Sequence, residues 1–133
     1  MSYLILYAMS NYENLNVWKK AIELTIATYK LTENNESFKR DFSLRDQMRR
    51  AAISIPSNIS EGDELGTDKQ AIKHFYISKG SAAELYTQLL ISNKIGYITV
   101  EMTEPIMKEC KSISAMLNNL IKSRRKINPS HNS

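Results

Sequence analysis

Residues 49–62 read RRAAISIPSNISEG. Two arginines open the stretch, a proline sits inside it and a glycine closes it. Met48, Ala52, Ile55 and Ile59 recur at spacings of four, three and four, the period of a helix with one apolar face. Ser43 is a suitable N-cap for that helix, and Asp46, three residues later, complements its dipole. Gly62 reads as the C′ stop, with DELG as the loop beyond it. Pro56 then falls in the helix interior. It lacks an N–H and its ring presses on the carbonyl of Ala52, which costs about 3 kcal/mol and bends the helix. Ser54, Ser57 and Ser60 are the nearby candidates to satisfy the freed backbone groups. Two readings stay open for the kink: helix packing alone, or a device that aims Arg49 and Arg50 or shapes an oligomer contact.

Three more helices are legible around this one. The first runs from about Asn14 to Thr32 with two adjoining apolar stripes, Leu15–Trp18–Ile22–Tyr29 and Val17–Ala21–Leu24–Leu31. TENNES (32–37) breaks it, because Asn and Ser compete for backbone hydrogen bonds. The third runs from Asp68 to Ile95, capped by Thr67 and ended by Gly96, with Ile72, Phe75, Tyr76, Ala82, Ala83, Tyr86, Leu89 and Leu90 as its apolar surface. The fourth starts at Thr99 or Thr103, and the second choice places Pro105 in the first turn. Its residues Ile106, Cys110, Ile113, Leu117 and Leu120 form a heptad seam. Long helices with short connections predict an all-α, antiparallel up-down four-helix bundle, its second helix kinked at Pro56. The bundle spans 12–126, with flexible segments expected at 1–11 and 127–133.

Bulk properties agree. The 133 residues include only four glycines and three prolines, too few for the turns of a sheet-rich protein. The single cysteine, Cys110, cannot form an internal disulfide, and no apolar run approaches the roughly 20 residues that span a bilayer, so a cytoplasmic protein is expected. The net charge of +4 is uneven: residues 1–66 carry 8 Lys/Arg against 9 Asp/Glu, and residues 67–133 carry 10 against 5. The run KSRRK at 122–126 supplies much of the excess. Its Lys122, Arg124, Arg125 and Lys126 can neutralise phosphates, or they can simply form a solvated helix end that complements the dipole.

Catalysis finds no support. The two histidines are His74 and His131, and neither has a Glu three residues before it as di-iron bundles require. Cys110 falls on the apolar seam. No glycine-rich phosphate loop appears, and no cofactor or metal is expected. Tyr3, Tyr7 and Tyr12 are not interleaved with basic residues, so they make no stacking platform. The run GSAA at 80–83 is small enough to let another backbone approach, within the chain or across subunits.

NVWKKAIELTIATYKLT, QMRRAAISIPSNISEG, HFYISKGSAAELYTQLLISNKIGYI and SISAMLNNLIKS, in this order, resemble the four-helix-bundle family of 23S rRNA-intervening-sequence proteins. That family includes the accessory variability determinant of diversity-generating retroelements. The resemblance covers about Tyr12 to Lys122. It implies a homo-oligomeric ring, typically a pentamer, with a basic surface for RNA or DNA and, in the retroelement proteins, a reverse transcriptase as partner. By motif, Arg49 and Arg50 take the place of the family's paired basic residues. Pro56, Asn58, Glu61 and Gly62 take the signature of the second helix, and Gly80, Ser81, Glu84 and Leu85 that of the third, as structural positions. Asp63 and Glu64 depart from the pattern, standing where related chains often carry an aromatic or glycine and then an arginine. The expected activity is non-enzymatic binding of nucleic acid through Arg45, Arg49, Arg50, Lys122, Arg124, Arg125 and Lys126. The alternative is a protein-interaction adaptor whose charges serve solubility and ion pairs.

Overall fold

The structure, a computed structural model, describes Tyr12 and residues 15–127, the last two by their backbone only. Of the segments expected to be flexible, 1–11 and 127–133, all but the backbone of Ile127, which is still helical, lie outside the described residues. Five helices follow one another: α1 (Asn16–Thr32), α2 (Glu36–Arg40), α3 (Phe42–Glu64), α4 (Asp68–Lys94) and α5 (Val100–Ile127). Among the described residues there is no strand.

Each long helix packs against two others: α1 against α3 and α5, and α4 against α3 and α5. Ser92 meets Met48, Ser81 meets Ser54 and His74 meets Asn58. The core between them holds Met48, Ile55, Ile59, Phe75, Leu85 and Leu89, with Cys110, Ile113, Leu117 and Ile121 from α5. Of the two stripes on α1, Val17–Ala21–Leu24–Leu31 is the buried one, while Tyr29 stays 38% exposed.

Several local expectations change. TENNES does break α1, with Asn34 at φ 56 in the left-handed region that asparagine tolerates. Asn35 at once caps a new helix, its Oδ1 accepting from the N–H groups of Ser37 and Phe38. That short α2 delivers Phe38 into the core, edge-on to Tyr97 at 5.5 Å between ring centroids. Asp41, not Ser43, caps α3: its Oδ1 accepts from Leu44 N at 3.3 Å and its Oδ2 from the Tyr97 hydroxyl at 3.0 Å. The second bond raises the Tyr97 pKa above the usual tyrosine value, because ionised Tyr97 could no longer donate. Thr99 caps α5, its Oγ1 accepting from Met102 N at 3.3 Å, so Pro105 lies beyond the first turn.

Gly62 is not a stop. Helix α3 continues to Glu64, and the left-handed residue is Gly66 at φ +83. A Cβ on Gly62 would stand 3.0 Å from His74 Cβ, 3.0 Å from Phe75 Cε1 and 3.1 Å from the Ala71 carbonyl. Its missing side chain is what lets α4 pass this close to α3. Gly80 is the opposite case, with nothing within 4 Å.

The backbone around Pro56 is satisfied from another helix. Without a Pro56 N–H, the Ala52 carbonyl loses its partner one turn on. The Thr25 hydroxyl of α1 lies 3.0 Å from that oxygen and 2.8 Å from the Ala21 carbonyl, one proton serving two acceptors. The serines expected in this role act elsewhere: Ser60 donates to Ser57 O at 3.0 Å, and Ser54 pairs with Asn58 and Ser81.

Candidate nucleic-acid interface

The nominated cations do not gather on one surface. Arg45, Arg49 and Arg50 lie in the first part of α3, beside the end of α1. Lys122, Arg124 and Arg125 lie in the last turns of α5, beside the α3–α4 junction. Arg49 and Asp63, which mark the two places, are about 21 Å apart along α3 at helical rise.

At the first place, Arg45 Nε donates to its neighbour Asp46 Oδ1 at 3.0 Å, so its charge is locally answered. Arg49 turns toward α1. Its Nε donates to Thr32 Oγ1 at 3.0 Å and its Nη2 to the Tyr29 carbonyl at 3.4 Å, with Cζ 4.5 Å from the Tyr29 ring centroid. The carbonyls at the end of α1 lack the N–H one turn on; Tyr29 O also lies 3.2 Å from the Thr32 hydroxyl, and the guanidinium adds a charged donor that complements the dipole. Arg50 is exposed and makes no ion pair among the described residues.

At the second place, Arg124 is the most enclosed. Its Nη2 donates to Asp63 Oδ1 and its Nη1 reaches Asp68 Oδ1 at 3.5 Å, while Cζ rests 5.6 Å from the Phe75 ring centroid. The Arg124 side chain is 22% exposed, against 7% and 10% for the two aspartates. Asp63, which departs from the family pattern, is thus a counter-ion that ties α5 to α3. Arg125 donates to the Tyr76 hydroxyl at 3.0 Å, and Lys122 is exposed. The Lys126 side chain lies outside the described residues.

Of the signature residues, Asn58, Glu61, Gly62 and Ser81 meet the facing helix across the α3–α4 seam, while Gly80 and Glu84 are exposed on α4. Pro56 is buried, and Asn58 Nδ2 donates to Ser54 O at 2.9 Å, which leaves Asn58 Oδ1 facing His74 Nδ1 at 2.9 Å. That network assigns the Nδ1 proton to His74. Glu61 Oε2 is 3.6 Å from the same nitrogen. Ser81 donates to Ser54 Oγ at 2.8 Å, and Glu84 accepts from Gln88 at 3.4 Å. The Asn58–His74 and Ser81–Ser54 bonds hold α3 and α4 together, whereas the Asn58–Ser54 and Glu84–Gln88 bonds lie within single helices. Burial pushes the Cys110 thiol up to about 12, so at neutral pH it is an un-ionised core residue.

Sequence reasoning passed over Lys79 and Lys94 of α4 and Lys108 and Lys111 of α5. Lys79 and Lys111 lie over the rings of Tyr76 and Tyr86, at 5.7 Å and 5.0 Å from the centroids. The signal was helical spacing on α4, where Tyr76, Lys79 and Tyr86 share a face. It was hidden because Tyr76, Tyr86 and Leu90 read as part of one apolar surface of the helix.

Among the described residues, no helix is long and apolar enough to cross a membrane. The sequence profile of the family described as 23S rRNA-intervening sequence protein matches residues 13–119. No curated protein matches. A crystal structure of a protein of unknown function from the S23 ribosomal protein family of Bacteroides thetaiotaomicron is similar, with a TM-score of 0.75 and 25% identity, over 80% of this chain and 98% of that one. A profile that spans most of the chain and a solved relative of the same shape agree: the chain belongs to the family of 23S rRNA-intervening sequence proteins.

Proposed function

We propose that this protein is a non-enzymatic, cytoplasmic homo-oligomer that binds RNA or DNA through the phosphate backbone. The observation that carries the reading is uncompensated charge. Arg49, Arg50 and Lys122 have no carboxylate partner among the described residues. Such cations release counter-ions from a polyanion and give affinity without sequence preference. In this reading the subunit is an antiparallel up-down bundle bent at Pro56, and a reverse transcriptase is a further partner in any member that serves a retroelement.

Exposed apolar surface supports assembly. The groove between α1 and α3 shows Ile26 at 50% and Ile53 at 42% exposure. The outer face of α4 shows Ile77 at 43% and Ile91 at 45%, on either side of the open Gly80. These are two unlike surfaces, so their contact is head-to-tail, which closes as a ring when the rotation allows. We assign a pentamer.

A salt titration of binding to labelled RNA and DNA, with light scattering on the same sample, tests both parts. The expected particle is five times 15.2 kDa, and its affinity falls steeply as salt rises. A ring without binding at low salt would sink the nucleic-acid reading and leave an adaptor that acts on a protein. A monomer would sink the ring.

A further inference from the structure

A second set of cations covers the outward side of α4 and α5. On α4, Tyr76, Lys79, Tyr86 and Lys94 fall on one helical face. On α5, Lys108, Lys111, Asn118, Lys122 and Arg125 do the same. The rows lie side by side in opposite sense. Arg125 Nη2 donates to Tyr76 Oη at 3.0 Å, Lys79 Nζ donates to Asn118 Oδ1 at 2.7 Å, and Lys111 Nζ lies 5.0 Å from the Tyr86 centroid. Toward Lys94 and Lys108 the rows part into an open groove of ≈ 440 Å³, with Leu90, Val100 and Met107 for its apolar lining and Glu104 as its one carboxylate. Among the described residues none of Lys79, Lys94, Lys108, Lys111 and Lys122 is paired with an acid.

We propose that this face is a platform for single-stranded RNA or DNA, with phosphates tracking along the lysines and bases stacking on Tyr76 and Tyr86. The inference rests on the nucleic-acid reading above and moves its main contact surface from the arginines of α3 to α4 and α5. Cations alone would suit any polyanion; the interleaved rings select the ligand. Tyr76 is 45% exposed, and its ring now meets Lys79 and Arg125, each 5.7 Å from the centroid. A stacked base is worth more than an exposed cation–π contact, so a base replaces the cation over the ring and the cation turns to a phosphate. Bases paired inside a duplex cannot reach the rings. From Tyr76 to Lys94 the platform is about 27 Å long, enough to follow several nucleotides.

The test uses the full-length protein and fluorescence anisotropy at several salt concentrations. The probes are a twelve-residue oligo(U), an oligo(dT) of the same length, a duplex of that length and a polyglutamate of matched charge. Changing Lys94, Lys108, Lys111 and Lys122 together to Ala, all at exposed positions, weakens single-strand binding by more than about tenfold and flattens the salt slope by up to about 3. Tyr76→Leu weakens the single strand about fivefold with no change of slope, and leaves the duplex unaffected. If the lysine variant binds like the parent while Arg50→Ala does not, the platform is overturned and the nucleic-acid reading stands. Polyglutamate bound as tightly as oligo(U) overturns the stacking role. A parent protein that binds no nucleic acid at low salt overturns both readings.

Discussion

The chain contains two pairs of adjacent arginines, Arg49–Arg50 on α3 and Arg124–Arg125 on α5. Successive residues on a helix point about 100° apart. In each pair, accordingly, the first arginine is the more enclosed and the second lies farther out, Arg125 still donating to the Tyr76 hydroxyl. What holds the inner one differs. Arg49 meets neutral groups, a hydroxyl, a carbonyl and an aromatic face. Arg124 meets two carboxylates that are themselves nearly buried. The same residue type is a helix cap in one place and an obligatory countercharge in the other, and prominence in the sequence distinguishes neither from a ligand contact.

Arg124→Met should therefore be the most damaging single change. It leaves Asp63 and Asp68 facing each other with little access to water, a loss of about 2–4 kcal/mol that thermal unfolding followed by circular dichroism would register. Because the site is enclosed, the loss should persist in 1 M salt, where exposed pairs are screened. Adding Asp63→Asn to the variant should restore part of it. A melting temperature unchanged by Arg124→Met would erase the contrast with Arg49.

Gly62→Ala reaches the same region from beneath. The new methyl would meet Phe75, the ring on which Arg124 rests, and the Ala71 carbonyl, which cannot step aside without moving α4. We expect about 1–3 kcal/mol of destabilisation, although alanine is the better helix former. Gly80→Ala, with open space around it, should instead stabilise the isolated subunit by about 0.5–1 kcal/mol. Equal effects at the two glycines would refute the packing account. Arg49→Met comes next: it removes one cap and one cation–π contact, about 1 kcal/mol in thermal unfolding.

The long helices could be read because each repeats its apolar residues over many turns. Helix α2 could not, since five residues are too few to show a period, and its purpose lies in Phe38 and Tyr97, far apart in sequence. Ser43 reads as the cap from the sequence alone; Asp41 takes that role instead, and its other carboxylate oxygen accepts from Tyr97, far away in sequence. Gly62 looked like a stop because a glycine near a helix end usually is one; only the passage of α4 reveals the other use. The Thr25 hydroxyl that serves the Ala52 carbonyl likewise belongs to another helix. For the candidate site, sequence supplied the arginines and Lys122 but neither their neighbours nor the other lysines of α4 and α5. Which arginine meets Asp63, and which lysine meets Tyr86, depends on how α5 is set against α3 and α4, and no local pattern encodes that.

Arg50→Ala should change stability least of all, by under about 0.5 kcal/mol, because Arg50 is exposed and has no partner among the described residues. That makes it the cleanest probe of the outer members of the pairs. If the first part of α3 contacts a polyanion, the variant keeps its melting temperature and its oligomeric mass while the salt slope falls by about 0.7–0.9, the value of one phosphate contact. If the slope stays the same, Arg50 is a solvated charge and the binding surface lies elsewhere. A drop in melting temperature would mean instead that Arg50 has a partner in the assembled ring. The three results differ in two measurements on one sample, so the variant separates the end of the bundle near α1 from the surface of α4 and α5 without disturbing either.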